Sequence, residues 1–454
     1  MDALPQRRHD GMIDPDAGIV SREIFVSPDI YRHELETVFA RAWLFIGHES
    51  LVPNPGDFYT SRMGEESVIL CRDRNDNINV FLNSCRHRGM KVCRYDQGNT
   101  TVFTCPYHAW AYALDGTLQG VPQYKELYDG VLDRAQWSLI RVPKTVNYKG
   151  TIWGSWDEAA PDFLTYLGDA KDHLDQALDC RDGRPGGSEV IGVHKWIFPA
   201  NWKFAAENFL GDTYHNISHN SVDKIGIGPS AQAGVKGRRD DELEKSKHVW
   251  VSFPQGHGVH SAIQPADQEF IDSYLDQPEI SAYFRHCFEE RRHRLGEKAR
   301  LLPFVGTIFP NTSYHGRQPR GLCAWHPHSP TETEGWRFFL VDKDAPEVVK
   351  QFLRKYYMRY SGPAGMTEQD DMENWLYATA ASKGTIARRH PFNYQQSMHR
   401  AKIDDPVPGE VSTQTTEHIA RGFYRRWNSY LDGASWDTLL GRDDPRFTGG
   451  NGGA

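Results

Sequence analysis

Two short pairs of metal-binding side chains limit what this chain can fold into more than any other feature does. Each pair combines one cysteine with one histidine: Cys85 and His87 have one residue between them, and Cys105 and His108 have two. Structural zinc sites usually join two cysteines of one turn to two histidines of a helix, so the mixed pairs argue against zinc. If each loop gives one thiolate and one imidazole, both cysteines can bind one iron and both histidines the other. The pattern therefore predicts a two-iron cluster with unlike ends.

The residues around these pairs alternate between apolar and polar in the way that is typical of short antiparallel strands. From Gly56 to Val121, apolar runs are separated by turn residues, and this pattern predicts a small antiparallel β domain. The pairs follow apolar runs at 78–82 and 102–104, so we expect each pair at the tip of a β-hairpin. Before this region, the residues from Ser27 to Ser50 predict a helix that opens with Ser27 as the N-cap and a proline after it.

Length and composition restrict the class of protein. With 454 residues the chain exceeds the usual limit of roughly 250–300 residues for one core, so two domains are expected, and mixed helix and strand patterns predict an α+β domain after about residue 160. A net charge of -8 argues against nucleic acid as the main partner. No apolar run of 18 residues and no signal-peptide core occur, so we expect a cytoplasmic protein that does not span a membrane. Seven irregularly spaced cysteines do not fit a disulfide framework, and the five outside the two pairs are predicted to be buried structural thiols: Cys71, Cys93, Cys180, Cys287 and Cys323.

A second group of metal-binding residues lies in the stretch NWKFAAENFLGDTYHNISHN, residues 201–220. On a helix, His215 and His219 would lie one turn apart on one face, with Asp212 one turn earlier on the same stripe. Zinc proteases share this spacing of the histidines, but Asn216 stands where their general-base glutamate is needed, so a metallohydrolase is disfavoured. Taken alone, the two histidines are about equally compatible with metal binding and with a solvent-exposed helix face.

A non-haem iron site that activates O2 also needs a carboxylate, because such sites use two histidines and one carboxylate on one face. The later stretch GPAGMTEQDDMENW supplies two candidates, Asp370 and Asp371, which are adjacent on a predicted helix. Adjacent helical residues point about 100° apart, so only one of them is expected to face the metal. The residues themselves do not decide between the two.

Both groups of residues resemble one family. The stretch CRHRG…CPYHAW resembles the Rieske [2Fe–2S] motif of ring-hydroxylating oxygenases, and NWKxxxENxxxDxYHxxxH with EQDD resembles the catalytic domain of their alpha subunits. The resemblance extends from about Ser27 to Asp432. It implies a small antiparallel β Rieske domain at 47–160 and a larger catalytic domain at 161–454, with a central antiparallel sheet flanked by helices. Residues 1–46 are then expected to form an N-terminal helical segment that packs on the catalytic domain.

The resemblance also implies roles for individual residues. Cys85, His87, Cys105 and His108 would hold the Rieske cluster, and His215, His219 and Asp371, the second aspartate of EQDD, would hold the mononuclear Fe(II), leaving Asp370 as a solvated or supporting group. In the family, the aspartate before the first histidine bridges that histidine and a Rieske histidine of the neighbouring subunit. The matching residues here are Asp212, His215 and His108, and a carboxylate between two ring N–H groups would orient both ligands. Substrate-pocket positions by motif match are Asn208, Phe209, Leu210 and Thr367.

The implied activity is that of a terminal oxygenase alpha subunit, a dioxygenase that uses O2 and electrons from NAD(P)H to cis-dihydroxylate an aromatic ring. A Rieske monooxygenase or demethylase acting on an aromatic or other cyclic substrate is the alternative, because it shares both metals. The implied partners are a ferredoxin, an NAD(P)H-dependent reductase and a small beta subunit, in an α3β3 hexamer or else an α3 trimer. The identity of the arene stays open.

Four features depart from the pattern or extend it. Ala109 stands where the family usually has glycine after the last cluster ligand, and alanine suits that position if its φ is negative. The four-residue step between the two histidines is one residue shorter than in many naphthalene- and biphenyl-type relatives, which leaves the substrate subgroup open. The loop 221–246 is either a lid or a disordered excursion. The stretch IFPNTSYHGRQPRG contains polar residues where relatives have an apolar wall, and its arginines could pair with a substrate carboxylate or lie in a surface loop: His315, Arg317 and Arg320.

Overall fold

The computed structural model describes residues 11–224, 246–272, 276–317, 319–400 and 403–448. The chain divides into two compact units: Phe39–Ala160 form one, and the segments before and after it form the other. We call them the inserted unit and the main unit. The division falls before the predicted boundary at residue 46, because strand residues Leu44–His48 pair with Thr151–Ser155 inside the inserted unit. Most of the predicted loop 221–246 lies outside the described residues.

The N-terminal segment belongs to the main unit, and its described part contains two short strands, β1 (Ile13–Asp14) and β2 (Ile19–Val20). Helix α1 (Pro28–Glu34) starts as predicted, with the Ser27 hydroxyl accepting the Ile30 N–H at 3.4 Å. The predicted helix to residue 50 was wrong beyond the π-helical turn at Leu35–Phe39, since Leu44–His48 form a strand. Every residue of that strand is buried, and periodicity cannot separate a fully buried strand from a buried helix.

The inserted unit consists of short antiparallel strands in three small sheets, as the sequence predicts. Their orders are β6-β5-β4-β7, β10-β9-β8 and β11-β12-β3. The strands and the one α-helix described in this unit are β3 (Leu44–His48), β4 (Asp57–Met63), β5 (Glu66–Arg72), β6 (Ile78–Leu82), β7 (Gln97–Asn99), β8 (Phe103–Thr104), β9 (Ala111–Tyr112), β10 (Leu118–Gly120), α2 (Tyr124–Tyr128), β11 (Lys144–Tyr148) and β12 (Thr151–Ser155).

The main unit is built around an eight-stranded antiparallel sheet in the order β13-β19-β18-β17-β16-β15-β14-β21. A small sheet, β1-β2-β20, joins its N-terminal and C-terminal parts. The remaining elements are α3 (Phe163–Leu167), α4 (Ala170–Leu178), β13 (Ser188–Phe198), α5 (Trp202–Asn208), α6 (Asn220–Lys224), β14 (Lys247–Ser252), β15 (Gly258–Ile263), α7 (Pro278–Leu295), β16 (Leu301–Ile308), β17 (Thr312–His315), β18 (Gly321–Ser329), β19 (Glu332–Asp342), α8 (Glu347–Tyr360), α9 (Met366–Ser382), β20 (Phe392–Asn393), β21 (Glu410–Ser412), α10 (His418–Leu431), α11 (Trp436–Leu439) and α12 (Pro445–Thr448). The predicted α+β class with a central antiparallel sheet and flanking helices is confirmed.

A buried ion pair fixes α5, the helix that leads into the histidine segment. Lys203 is 0% exposed, and its ammonium group lies 2.6 Å from a Glu34 carboxylate oxygen at the end of α1. The indole N–H groups of Trp202 and Trp427 donate to the same carboxylate at 3.1 and 2.7 Å. A buried charge needs such partners, so the N-terminal segment is part of the structure that holds the site.

Candidate metal centres

The four predicted cluster residues meet at two neighbouring loops of the inserted unit. The Nδ1 atoms of His87 and His108 lie 3.1 Å apart, and the Cys85 and Cys105 thiols are in hydrogen-bond contact with each other. The sulfur side is buried, with Cys85 4% and Cys105 2% exposed, whereas both imidazoles are only half-buried. The loops therefore form a site with a thiol end and an imidazole end, which is the division that a two-iron cluster with unlike irons requires.

The two loops have the same backbone pattern. In each, the cysteine N–H donates to the carbonyl five residues later, and the N–H four residues later donates back to the cysteine carbonyl. These bonds are Cys85 to Met90 at 2.8 Å, Gly89 to Cys85 at 2.8 Å, Cys105 to Trp110 at 2.8 Å and Ala109 to Cys105 at 3.0 Å. The repeated pattern means that Gly89 and Ala109 occupy equivalent positions.

Ala109 adopts the left-handed conformation. Its φ is +57°, close to the +71° of Gly89, so the condition of a negative φ is not met. A left-handed alanine costs roughly 1–2 kcal/mol because Cβ approaches the following carbonyl oxygen. Alanine in place of glycine at this position therefore adds backbone strain to the loop without changing its backbone conformation.

Substituting Ala109→Gly is therefore expected to stabilise the inserted unit by roughly 1 kcal/mol, because it removes this strain at a small cost in chain entropy. The reverse change, Gly89→Ala, is expected to destabilise it by a similar amount. A Cβ added at Gly89 meets only the Ser84 hydroxyl at 3.9 Å, so the variant reports backbone strain alone. Loss of the visible cluster absorbance during heating measures both variants, and equal midpoints for Ala109→Gly and the parent protein would contradict the strain.

In the main unit, His215, His219 and Asp371 converge on one point. The Nε2 atoms of the two histidines are 3.2 Å apart, and Oδ1 of Asp371 lies 3.2 Å from the first and 3.1 Å from the second. Within the described ranges, these three side chains form the group of His, Cys, Asp or Glu residues whose ligand atoms lie close enough together to share a metal ion. The histidines sit in a 3-10 helix, Tyr214–His219, and Asp371 is in α9.

Two further carboxylates face the outer nitrogens of the histidines. Asp370 Oδ2 lies 3.0 Å from Nδ1 of His219, within hydrogen-bond distance, whereas Asp212 Oδ2 lies 3.6 Å from Nδ1 of His215, just beyond it. The contact of Asp370 agrees with a supporting role, one of the two interpretations that the sequence left open. When the proton of each ring is on the Nδ1 that faces a carboxylate, Nε2 can offer its lone pair to a metal ion at the shared point.

The charges of these groups favour a cation at the shared point. Burial lowers the pKa of His215, but Asp212 and Asp371 outweigh that effect and raise the pKa to about 10. Burial tends to raise the pKa of Asp371, and the two histidines hold it below the usual range of a carboxyl. The site therefore attracts positive charge, and a divalent metal ion can accept the two imidazole lone pairs and the carboxylate together.

The donor sets of both centres fit iron. Two imidazole nitrogens and one carboxylate on one face suit a non-haem Fe(II) site with open positions. Two thiols opposite two imidazoles suit a Rieske cluster. In each centre, nitrogen atoms of two imidazoles lie within 3.2 Å of each other. A shared proton can satisfy the lone pairs of one such pair of nitrogens, whereas a metal ion can accept the lone pairs of all the ligand atoms.

The predicted pocket residues lie at different places in the main unit. Thr367 is one turn before Asp371 on α9, 5% exposed, and its buried hydroxyl has no hydrogen-bond partner within the described ranges. Phe209 is 3% exposed and packs against the rings of His315 and Trp325 at 5.0 and 5.6 Å. Asn208 is the last residue of α5, and Leu210 lines a cavity together with Asp212.

The structure separates the three polar residues of the stretch that follows β16. Arg320 is 2% exposed, and its guanidinium lies 2.9 Å from Asp342, so this arginine is a core residue bound to a protein carboxylate. The Arg317 guanidinium lies over the Phe304 ring at 5.1 Å. His315 faces Phe209, and its Nδ1 accepts a hydrogen bond from Arg337 at 3.1 Å. An Arg320 contact with a substrate carboxylate is therefore not supported.

A buried ion pair behind the iron site was not found by sequence reasoning. Arg337, 1% exposed on β19, lies 2.6 Å from Glu368 on α9, one turn before Asp371. The same guanidinium lies 5.4 Å from the centre of the Phe209 ring. Only the charge of Glu368, the first residue of EQDD, could have signalled such a partner, because Arg337 is on a strand whose position next to α9 is set by the tertiary fold.

Comparison with known proteins agrees with this geometry. Residues 42–138 match the Rieske [2Fe-2S] domain, and residues 163–433 match the ring hydroxylating alpha subunit (catalytic domain). The chain belongs to the ring-hydroxylating oxygenase alpha subunits. This alpha subunit is an oxidoreductase of the Rieske oxygenase type, and its cofactors are a Rieske [2Fe–2S] cluster and a mononuclear iron. It works with a small-molecule substrate, O2 and electron-transfer partners.

The relatives of this alpha subunit match it over nearly its whole length. Biphenyl dioxygenase subunit alpha of Paraburkholderia xenovorans is 37% identical over 450 residues, which are 94% of each chain. Benzene 1,2-dioxygenase subunit alpha of Pseudomonas putida is 38% identical over 448 residues, which are 95% of each chain. Among solved structures, naphthalene 1,2-dioxygenase with indole bound in the active site is 30% identical, with a TM-score of 0.84 over 96% of this chain and 97% of that one. No helix within the described ranges is long and apolar enough to cross a membrane.

Proposed function

We propose that this alpha subunit is a terminal oxygenase that uses O2 and electrons from NAD(P)H to cis-dihydroxylate an aromatic ring. The observation that carries the proposal is the presence, in one chain, of a two-histidine, one-carboxylate site and a pair of mixed cysteine and histidine loops. The names of the benzene and biphenyl dioxygenase relatives support an arene as substrate. The overall change joins an arene, O2, two electrons and two protons into one cis-dihydrodiol.

Seven residues are proposed as metal ligands. The distances of 3.1–3.2 Å among the donor atoms of the main unit support His215, His219 and Asp371 as the iron ligands. The equivalent backbone bonds of the two loops support a cluster with the sulfur atoms on one iron and the imidazoles on the other. The proposed cluster ligands are Cys85, His87, Cys105 and His108.

When bound, the cluster supplies electrons one at a time and the iron supplies open positions for O2. The protein's own groups set the conditions for that chemistry. Asp370 would orient the His219 ring through Nδ1, and Asp212, 3.6 Å from Nδ1 of His215, is placed to do the same for that ring. Phe209 and Leu210, both nearly fully buried, would keep water from the arene, and Asn208 would line the same wall. The Thr367 hydroxyl, which has no hydrogen-bond partner among the described residues, would give the pocket one polar contact beside Asp371.

The electron path is proposed to cross between subunits, from His108 of one copy through Asp212 to His215 of its neighbour. The exposure of the residues concerned supports a contact at each end. Asp212 is about half exposed, and Tyr214 and Ile217 beside it are 76% and 80% exposed. At the other end, Tyr107, next to His108, is 57% exposed. Large exposed apolar side chains next to functional groups are typical of interaction surfaces.

The remaining partners follow from this path. An alpha subunit whose iron depends on a neighbour's cluster needs a closed ring of copies, and we propose α3, with a small beta subunit giving α3β3. A ferredoxin and an NAD(P)H-dependent reductase would deliver the electrons, and the cytoplasm, where NAD(P)H is present, is the proposed location. A monomer that turns over at high dilution would contradict the path between subunits.

A spectrum and an isotope experiment test the function. The purified protein should be red-brown, lose intensity on reduction with dithionite and contain about three irons per chain. With labelled O2 and an arene such as benzene or biphenyl, the product should carry both labelled atoms in a cis-diol. A colourless protein that contains zinc would disprove the proposal, and incorporation of one labelled atom would indicate a monooxygenase instead.

A further inference from the structure

A half-buried carboxyl that the proposed mechanism does not use lies five residues before Asp212. Glu207, near the end of α5, accepts hydrogen bonds from the Tyr394 hydroxyl at 2.9 and 3.1 Å. The Tyr424 hydroxyl of α10 donates to Oε2 of the same carboxyl. The two tyrosine rings pack edge to face at 5.5 Å, so the three side chains form one compact cluster, which we call the Glu207 cluster.

The Glu207 cluster opens onto a cavity of about 230 Å³, large enough for several waters. Three carboxylates line it: Glu207, Asp212 and Glu417. The rest of the wall combines polar groups such as Tyr394 and Thr416 with apolar side chains. Water in this cavity can connect Glu207 to Asp212, and the half-exposed side chain of Asp212 connects the cavity to solvent.

The surroundings of Glu207 disfavour its charged form. Burial raises the pKa of Glu207 to about 8, the two tyrosine hydroxyls partly offset this, and the charges of Asp212 and Glu417 add to the rise. The positive groups nearby are already committed. Lys203 on the same helix pairs with Glu34, and the Arg421 guanidinium of α10 donates to the carbonyls of Tyr394 and Gln396.

Carboxylates that share a cavity repel each other when all are ionised, so the least solvated one takes up a proton. Asp212, about half exposed, accepts the Tyr214 backbone N–H at 3.0 Å. We propose that Glu207 carries a proton at working pH and acts as a positioning residue for Asp212, whose carboxylate faces Nδ1 of His215. When Glu207 ionises at higher pH, its proton leaves through the cavity, and the added negative charge repels the Asp212 carboxylate from its position beside His215.

The proposal rests on the electron path through Asp212, and its first test does not depend on that path. Infrared difference spectra of the whole protein between about pH 7 and pH 9.5 should show the carbonyl band of one protonated carboxylic acid disappearing as pH rises. Glu207→Gln should lack that band. If the band persists in Glu207→Gln, or if the parent protein shows no such band, the proposal is overturned.

Thermal unfolding gives a second readout. The pKa of Glu207 rises from 4.5 to about 8 in the fold, so its contribution to stability is lost as pH rises through that range. The melting temperature of the parent protein should therefore fall, relative to that of Glu207→Gln, between about pH 5 and pH 8. Parallel curves for the two proteins would overturn the proposal, whatever other titrating groups contribute to both.

Electron transfer supplies the functional readout, measured as reoxidation of the reduced cluster in a single turnover. In the parent protein its rate should fall above about pH 8, and in Glu207→Gln the alkaline fall should be absent. Tyr424→Phe removes a donor to the ionised carboxyl, so the fall should move to higher pH. An unchanged alkaline fall in Glu207→Gln would overturn the positioning role. If Asp212→Asn transfers electrons normally while the infrared band behaves as expected, the electron path fails and the protonated Glu207 stands.

Discussion

Asp371→Asn is expected to lower product formation by about a thousandfold or more, beyond the 10- to 100-fold that is typical of a residue supporting a ligand. The substitution replaces the carboxylate of a proposed ligand, 9% exposed, by a neutral amide of the same shape. Iron content should fall from about three to about two per chain, while the visible spectrum of the cluster is unchanged. Metal analysis, the spectrum and product yield on the same sample measure these effects.

The neighbouring residue provides a matched control. Asp370→Asn makes the same chemical change one position earlier on α9, where the carboxylate contacts Nδ1 of His219 and not the shared point. We expect this variant to keep most of its iron and to lose about 10- to 100-fold in activity. If Asp370→Asn loses the iron and Asp371→Asn keeps it, the assignment of the ligand carboxylate is reversed.

Asp212→Asn is expected to separate the two metal centres functionally. The neutral amide removes the charge that faces Nδ1 of His215 at 3.6 Å and that is proposed to face the neighbouring cluster. The variant should contain both metals and accept electrons from dithionite into the cluster. Product formation should nevertheless fall by about a hundredfold or more, because the reduced cluster is reoxidised slowly.

Rapid-mixing spectroscopy of the pre-reduced protein with substrate and O2 follows this reoxidation directly. Asp370→Asn serves again as the comparison, since it alters the carboxylate beside the other histidine. Its cluster should be reoxidised at close to the parent rate. Equal reoxidation rates in Asp212→Asn and the parent protein would exclude Asp212 from the electron path.

Residue spacing and apolar alternation within short stretches predicted the parts of the structure that depend on residues close together in the sequence. The spacing of Cys85 with His87 and of Cys105 with His108 anticipated two equivalent loops with a divided donor set. The apolar alternation anticipated the small sheets. The choice between Asp370 and Asp371 required the resemblance, because one helix presents both and only its packing decides which one faces the histidines.

Contacts between residues that are far apart in the sequence could not be predicted from the sequence. The partners of Glu207 are the residue that follows β20 and a residue of α10, far along the chain, and nothing in the stretch ENFLGD indicates two tyrosines. The position of Arg337 beside α9 is likewise set by the sheet order. The helix predicted to residue 50 failed because the fully buried run at Leu44–His48 has no periodicity that separates a strand from a helix.

The sequence of the inserted unit interrupts that of the main unit, so the two units can fold at different times during translation. The inserted unit is one continuous segment whose first and last strands pair, with Leu44 opposite Gly154, so it can fold once residue 160 has left the ribosome. Glu34, in contrast, cannot accept its hydrogen bond from Trp427 until that residue has been synthesised. At 5–20 residues per second, this interval is roughly ten to fifty seconds. The cluster loops are thus available to iron–sulfur assembly before the mononuclear site exists. The nascent chain can bind its cluster while the rest of the main unit is still being synthesised.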